Sequence, residues 1–129
     1  MTHQFSFEKL SVWQDARFFV KEIYQITKSF PREEQFGLTS QIRRAAVSVC
    51  SNLAEGTARI SMKEQARFTE IAYGSLIEVL NQLIIAVDLD FYSEKELNIM
   101  RPKIEKLSNQ INALRKMQIK RFNSSTKNN

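Results

Sequence analysis

The chain has 129 residues and a formal net charge of +5, with 43% hydrophobic and 26% charged residues. That composition suits one ordinary domain able to bury its own core. Gly 3 and Pro 2 argue for helices joined by short loops, and against sandwiches and glycine-rich phosphate loops. A single cysteine, Cys50, and a single histidine, His3, exclude an intrachain disulfide, a Cys- or His-based metal site and a Ser-His-Asp triad within one chain.

The charge is unevenly placed. Residues 1–36 carry five basic and five acidic groups, residues 37–92 five and six, and residues 93–129 nine and three. Basicity therefore belongs to the C-terminal quarter. The opening MTHQFSFEKL lacks the basic-then-apolar pattern of a signal peptide, and no window approaches 18 uncharged apolar residues. A soluble, cytoplasmic chain without a membrane partner is expected.

Residues 1–10, with Phe5, Phe7 and Leu10, read as a segment packed over one end of the fold. Ser11 and Gln14 have capping-box spacing. Val12, Ala16, Phe19, Ile23, Ile26 and Phe30 then form the four-three seam of a bundle helix over about 12–29, closed by Pro31. The connector PREEQFG has Pro31 placed to start a short helical turn.

The organising stretch is GLTSQIRRAAVSVCSNLAEG, residues 37–56, read as a helix over about 38–57 with Gly56 as a left-handed C-cap. Leu38, Ile42, Ala45, Val49 and Leu53 share one face; Arg44, Ser48, Ser51 and Glu55 fall within about 60° of one another on the opposite side. Those mostly small residues admit a second backbone closely. Cys50 reads as a small buried filler.

Ser61 and Glu64 open a third helix over about 62–90. Phe68, Ala72, Ser75, Val79, Leu83 and Ala86 form one stripe. Tyr73, Ile77, Leu80, Ile84 and Val87 form another about 140° away, with Leu76 between them. The apolar arc is about twice what a surface helix needs, so the second stripe is expected to be buried in a homo-oligomer. Ser93 and Glu96 open a fourth helix over about 94–120, with Leu97, Met100, Ile104, Leu107, Ile111 and Leu114 as its seam. Pro102 either kinks it or begins a restarted helix. Residues 1–121 thus form a single all-α domain, an antiparallel up-down-up-down four-helix bundle. Residues 122–129, FNSSTKNN, are expected to be a flexible tail.

Catalytic chemistry finds little support. A di-iron bundle needs helical histidines, and none are present. Asp88 and Asp90 read as solvated acids. Glu55 and Glu78 are the best candidates for paired carboxylates, but surface ion pairing is the stronger reading, Arg44 with Glu55 and Arg67 with Glu70 and Glu78 being natural pairs. The basic groups carry more. Arg115, Lys116, Lys120 and Arg121 cluster near the end of the fourth helix, with Lys103 and Lys106 further up and Arg43 and Arg44 adjacent on the second helix. The macrodipole uses one or two such cations, and phosphate binding would use the excess. No helix-turn-helix, RNP motif or zinc finger points to sequence-specific reading.

LSVWQDA in the first helix, FPREEQFGLTSQIRRAAVSVCSNLAEG across the second and IAYGSLIE in the third resemble the four-helix-bundle proteins named for 23S rRNA intervening sequences. The match covers about residues 7–90, and the fourth helix matches in its heptad character. Cys50 stands where many members have proline, so the second helix is expected to be straighter here. The resemblance implies an up-down-up-down bundle that forms homopentamers. It also implies kinship with the accessory variability proteins of diversity-generating retroelements, which are basic pentameric bundles that bind nucleic acid. It supplies no catalytic residue, cofactor or small-molecule substrate. A non-enzymatic oligomer that binds RNA or DNA is expected, with a protein-binding assembly or adaptor module as the alternative.

Overall fold

The computed structural model describes residues 2–127 and is a helical bundle of four α-helices, with no strand among the described residues. They are α1 (Ser11–Thr27), α2 (Leu38–Thr57), α3 (Met62–Asp88) and α4 (Glu94–Lys127), with short 3-10 turns at Ser6–Lys9 and Arg32–Glu34. The seams read from the sequence make the core. Phe19, Ile23, Ile42, Val49, Leu53, Leu76, Val79, Leu83 and Ile111 are all buried. Each such side chain contributes about 1.5–3 kcal/mol of hydrophobic stabilisation.

Local chemistry sets the helix ends. Ser61 Oγ accepts from the Glu64 N–H at 3.3 Å, and Ser93 Oγ from the Glu96 N–H at 3.0 Å, so both expected caps form. The expected Ser11–Gln14 box does not. Gln14 Nε2 instead reaches back to the Glu8 carbonyl at 2.8 Å, and Glu8 accepts from the Phe5 N–H at 2.7 Å, so the preceding 3-10 turn captures both side chains. Within residues 2–10, Phe7 and Leu10 are half-buried, whereas Phe5 is exposed.

Gly56 is not a left-handed cap, since no glycine has positive φ and α2 continues past it to Thr57. Its small size serves a close helix crossing instead. A Cβ there would lie 3.3 Å from Phe68 Cβ and 3.4 Å from the Gln65 carbonyl oxygen. The left-handed position falls at Asp90, φ 62°. There Phe91 N–H bonds the Ala86 carbonyl at 2.9 Å and Asp90 N–H bonds that of Val87 at 3.0 Å, the Schellman pattern that ends α3.

α2 is uninterrupted through Cys50. α4 runs unbroken through Pro102, which removes the N–H that the Asn98 carbonyl would otherwise accept from. It also continues to Lys127, beyond the expected end near 120. Of the expected 122–129 tail, residues 122–127 are therefore helical, and 128–129 lie outside the described residues. By length and composition α3 could cross a membrane, with mean hydropathy 1.4 over its most apolar 18 residues. Here that side of α3 is committed to the core: Ala72, Leu76, Val79, Leu83 and Ala86 have no exposed surface.

Candidate nucleic-acid interface

Two pairs of contacts define the ends of the bundle. At one end Thr69 of α3 donates to Gln118 Oε1 of α4 at 2.7 Å, and Arg115 of α4 meets Glu70 of α3 at 2.6 Å. At the other end Phe30 packs against Phe91 and Tyr92, with ring centroids 6.1 and 6.3 Å apart. The first end, taken as residues 57–70 and 112–125, holds seven basic and two acidic side chains. The second, residues 28–37 and 84–100, holds three basic and six acidic ones. The molecule is therefore polarised along its length, and folding adds Arg59, Lys63 and Arg67 of α2–α3 to the basic quarter of α4.

The eight basic residues singled out by sequence do not form one patch. Arg43 ties α2 to α1: its Nε donates to Thr27 Oγ1 at 2.8 Å, its Nη2 to the Tyr24 carbonyl at 3.4 Å, and its guanidinium lies 4.5 Å from the Tyr24 ring centroid. Arg44 is exposed on α2 and shares a shallow groove of about 270 Å³ with Gln41, Ser48 and Glu78. Lys103 and Lys106 reach across to α1, where they pair with Glu22 and, at 3.8 Å, with Asp15. Gln110 adds a hydrogen bond to Asp15 Oδ2 at 2.9 Å. Arg115 is engaged by Glu70.

Lys116, Lys120 and Arg121 are exposed and hold no ion pair among the described residues. At 100° per residue Lys116 and Lys120 lie about 40° apart on one face of α4, and Arg121 stands about 100° from Lys120 on the other flank. The expected Arg44–Glu55 pair is not formed. Glu55 lies 3.9 Å from Arg59, and Arg67 pairs with Glu64 at 2.8 Å rather than with Glu70 or Glu78. Arg59 and Arg67 also sit 4.4 and 5.1 Å from the Phe68 ring centroid, a stacked basic pair that sequence spacing did not reveal.

The second stripe of α3 divides. Tyr73, Leu80 and Val87 pack partly against their own core. Ile77 and Ile84 stay 42% and 37% exposed, with Ile85 and Leu89 exposed nearby. Gly74 lies on the same side, and a Cβ placed there would meet no side chain or other backbone within 4 Å. Between α2 and α3 the small-residue line brings Ser48 Oγ to 2.8 Å from Ser75 Oγ, with Asn52 Nδ2 donating to the Ser48 carbonyl at 2.9 Å.

Among the described residues no three His, Cys, Asp or Glu side chains converge to hold a metal ion. Cys50 is half-buried against the core, and burial pushes its thiol up to about 11 against a smaller opposing pull from Arg17.

Residues 8–113 match the family model described as the 23S rRNA-intervening sequence protein. The chain belongs to that family. Among solved structures it is similar to a protein of unknown function from the S23 ribosomal protein family of Bacteroides thetaiotaomicron. The TM-score is 0.58 and the identity 18%, over 86% of this chain and 97% of that one. At that identity the likeness carries the fold alone. No curated protein sequence matches the chain. The resemblance read from LSVWQDA, QIRRAAVSVCSNLAEG and IAYGSLIE is the family that the match identifies.

Proposed function

We propose that this chain is a non-enzymatic, cytoplasmic, self-associating bundle that binds RNA or DNA electrostatically at its basic end. The observation that carries this reading is the lengthwise charge asymmetry, with Lys116, Lys120 and Arg121 left for phosphates at the basic end once Lys103, Lys106 and Arg115 have met acidic partners. Cations already paired within a fold release fewer counterions on meeting nucleic acid, so the unpaired ones dominate the binding. The family's name, taken from an rRNA intervening sequence, agrees with a nucleic-acid partner.

The helices follow an up-down-up-down order in this reading. It is supported by paired contacts whose numbering runs in opposite directions: Gly56–Phe68 and Ser48–Ser75 between α2 and α3, Thr69–Gln118 and Glu70–Arg115 between α3 and α4, and Asp15–Gln110 and Glu22–Lys103 between α1 and α4. Self-association uses the α3 face around Ile77 and Ile84, and the family resemblance makes a pentamer the natural assembly. Each added copy multiplies the basic ends, so weak single sites sum through avidity.

The test is a titration of structured rRNA fragments against salt. Binding should weaken steeply with salt. Replacing Lys116, Lys120 and Arg121 by Ala should reduce the log–log slope by about 2–3 and lower affinity at every sequence tested. An unchanged slope and affinity in that variant would overturn the proposal.

A protein-binding adaptor is the second reading, favoured by the exposed Phe18 and Ile99 and by Phe36, which is 92% exposed. It predicts purified protein free of nucleic acid, read from the absorbance ratio, and salt-independent capture of its partner.

A further inference from the structure

At the basic end a groove of about 300 Å³ runs between the first turns of α3 and the last third of α4. Its apolar lining is Ala66, Ile119 and Phe122; its polar rim is Lys63, Arg67 and Glu70. The rim's acid is spoken for, since Glu70 lies 2.6 Å from Arg115. Arg67 lies 2.8 Å from Glu64, and Lys63 holds no ion pair among the described residues. Ile119 also borders a second concavity that contains Lys116 and Lys120. The two depressions therefore share a wall, and an apolar slot with an aromatic ring runs between free lysines on both sides.

A duplex that hides its bases and shows only phosphates would need the lysines but not the slot. We infer that the groove receives an unpaired base of single-stranded RNA or DNA. The base lies against Phe122 and Ile119, and the flanking phosphates lie on Lys63, Lys116 and Lys120. A flat apolar base between charged phosphates matches an apolar aromatic slot between cations. This assignment rests on the nucleic-acid reading above and names the class of ligand at that same end.

Full-length protein is titrated by fluorescence anisotropy with a single-stranded U-rich 20-mer and with a fully paired hairpin of equal phosphate count. A strand carrying 2-aminopurine reports stacking. The single strand should bind about ten-fold more tightly than the hairpin, with 2-aminopurine quenched on binding. Phe122→Leu keeps an apolar side chain but removes the ring. It should lose most of that ten-fold on the strand and leave hairpin binding unchanged, with an unchanged thermal melt as its folding control. Lys116→Ala with Lys120→Ala should weaken both ligands.

Equal binding of strand and hairpin, with Phe122→Leu silent and the lysine variant weakened, overturns the base slot and leaves the electrostatic reading standing. Failure of both ligands to bind overturns both.

Discussion

Thr69 and Gln118 meet inside the bundle, the Thr69 hydroxyl donating to the Gln118 carboxamide oxygen at 2.7 Å with both side chains buried. The pair lies one residue from Ile119 of the basic groove and one from Glu70, which holds Arg115. It therefore fixes where the last third of α4 lies on α3, and with it the placement of Lys116 and Lys120.

Thr69→Val removes the donor at nearly constant volume and leaves the Gln118 oxygen buried without it. The cost should be about 1–3 kcal/mol, the desolvation penalty of an orphaned buried acceptor. Thr69→Val combined with Gln118→Leu should recover part of that loss, because neither polar group is then stranded. Chemical denaturation of the two variants gives the comparison, and hydrogen exchange should show protection lost first over residues 112–125. A double variant less stable than the sum of its parts would contradict this account.

The two helical glycines should respond with opposite sign. Gly74→Ala meets nothing within 4 Å, so the better helix propensity of alanine should stabilise the subunit by about 1 kcal/mol. Gly56→Ala gains the same propensity but sets its methyl 3.3 Å from Phe68 Cβ and 3.4 Å from a backbone oxygen. Overpacking of that kind costs about 1–3 kcal/mol, so the net change should be destabilising. Thermal melts of the two variants side by side test it. Equal gains would mean that the α2–α3 crossing yields more easily than the distances imply.

The parts of this molecule legible in sequence are those that depend on near neighbours. The seams of α1, α2 and α4 follow from period alone, and Ser61 and Ser93 cap because the N–H groups they accept from lie three residues away. The misses depend on distant partners. FNSSTK has weak helix propensity, yet it stays helical as the continuation of a helix held against α3 by Gln118. Gly56 looks like a cap in sequence because the residue against it, Phe68, lies twelve positions on. Which of the eight candidate cations are neutralised is not legible either, since Glu22, Asp15 and Glu70 come to Lys103, Lys106 and Arg115 only through packing.

Ile77 and Ile84 are one heptad apart on the outer face of α3, and both are exposed in the single subunit. If that face joins copies of the chain, Ile77→Glu with Ile84→Glu should lower the mass in light scattering toward one subunit. Far-ultraviolet circular dichroism should be unchanged, since neither side chain belongs to the buried core. The same variant should weaken nucleic-acid binding through lost avidity while keeping the salt slope per subunit. An unaltered mass would remove this face from the interface.

Cys50 and Tyr92 make the fold sensitive to alkali. Burial is the larger cause of the Cys50 shift from 9.0 to about 11, Arg17 opposing it. Burial also leads for Tyr92, raised from 10.0 to about 12, with Glu96 and then Glu22 adding repulsion of the phenolate. Both groups are neutral when protonated, and their folded values lie above the unfolded ones. Their contribution is therefore fully present below pH 9 and is lost as pH rises through about 11 and 12. Melting temperature should be flat from pH 7 to about 9 on their account and fall beyond it, with Cys50→Ser leaving only the later, Tyr92-dependent part. Iodoacetamide gives an independent reading. With the Cys50 thiol pushed up to about 11, far less thiolate is present at pH 8, so Cys50 should alkylate more slowly in the folded protein than in urea. Equal rates in the two states would show that the thiol is not held in its protonated form by the fold.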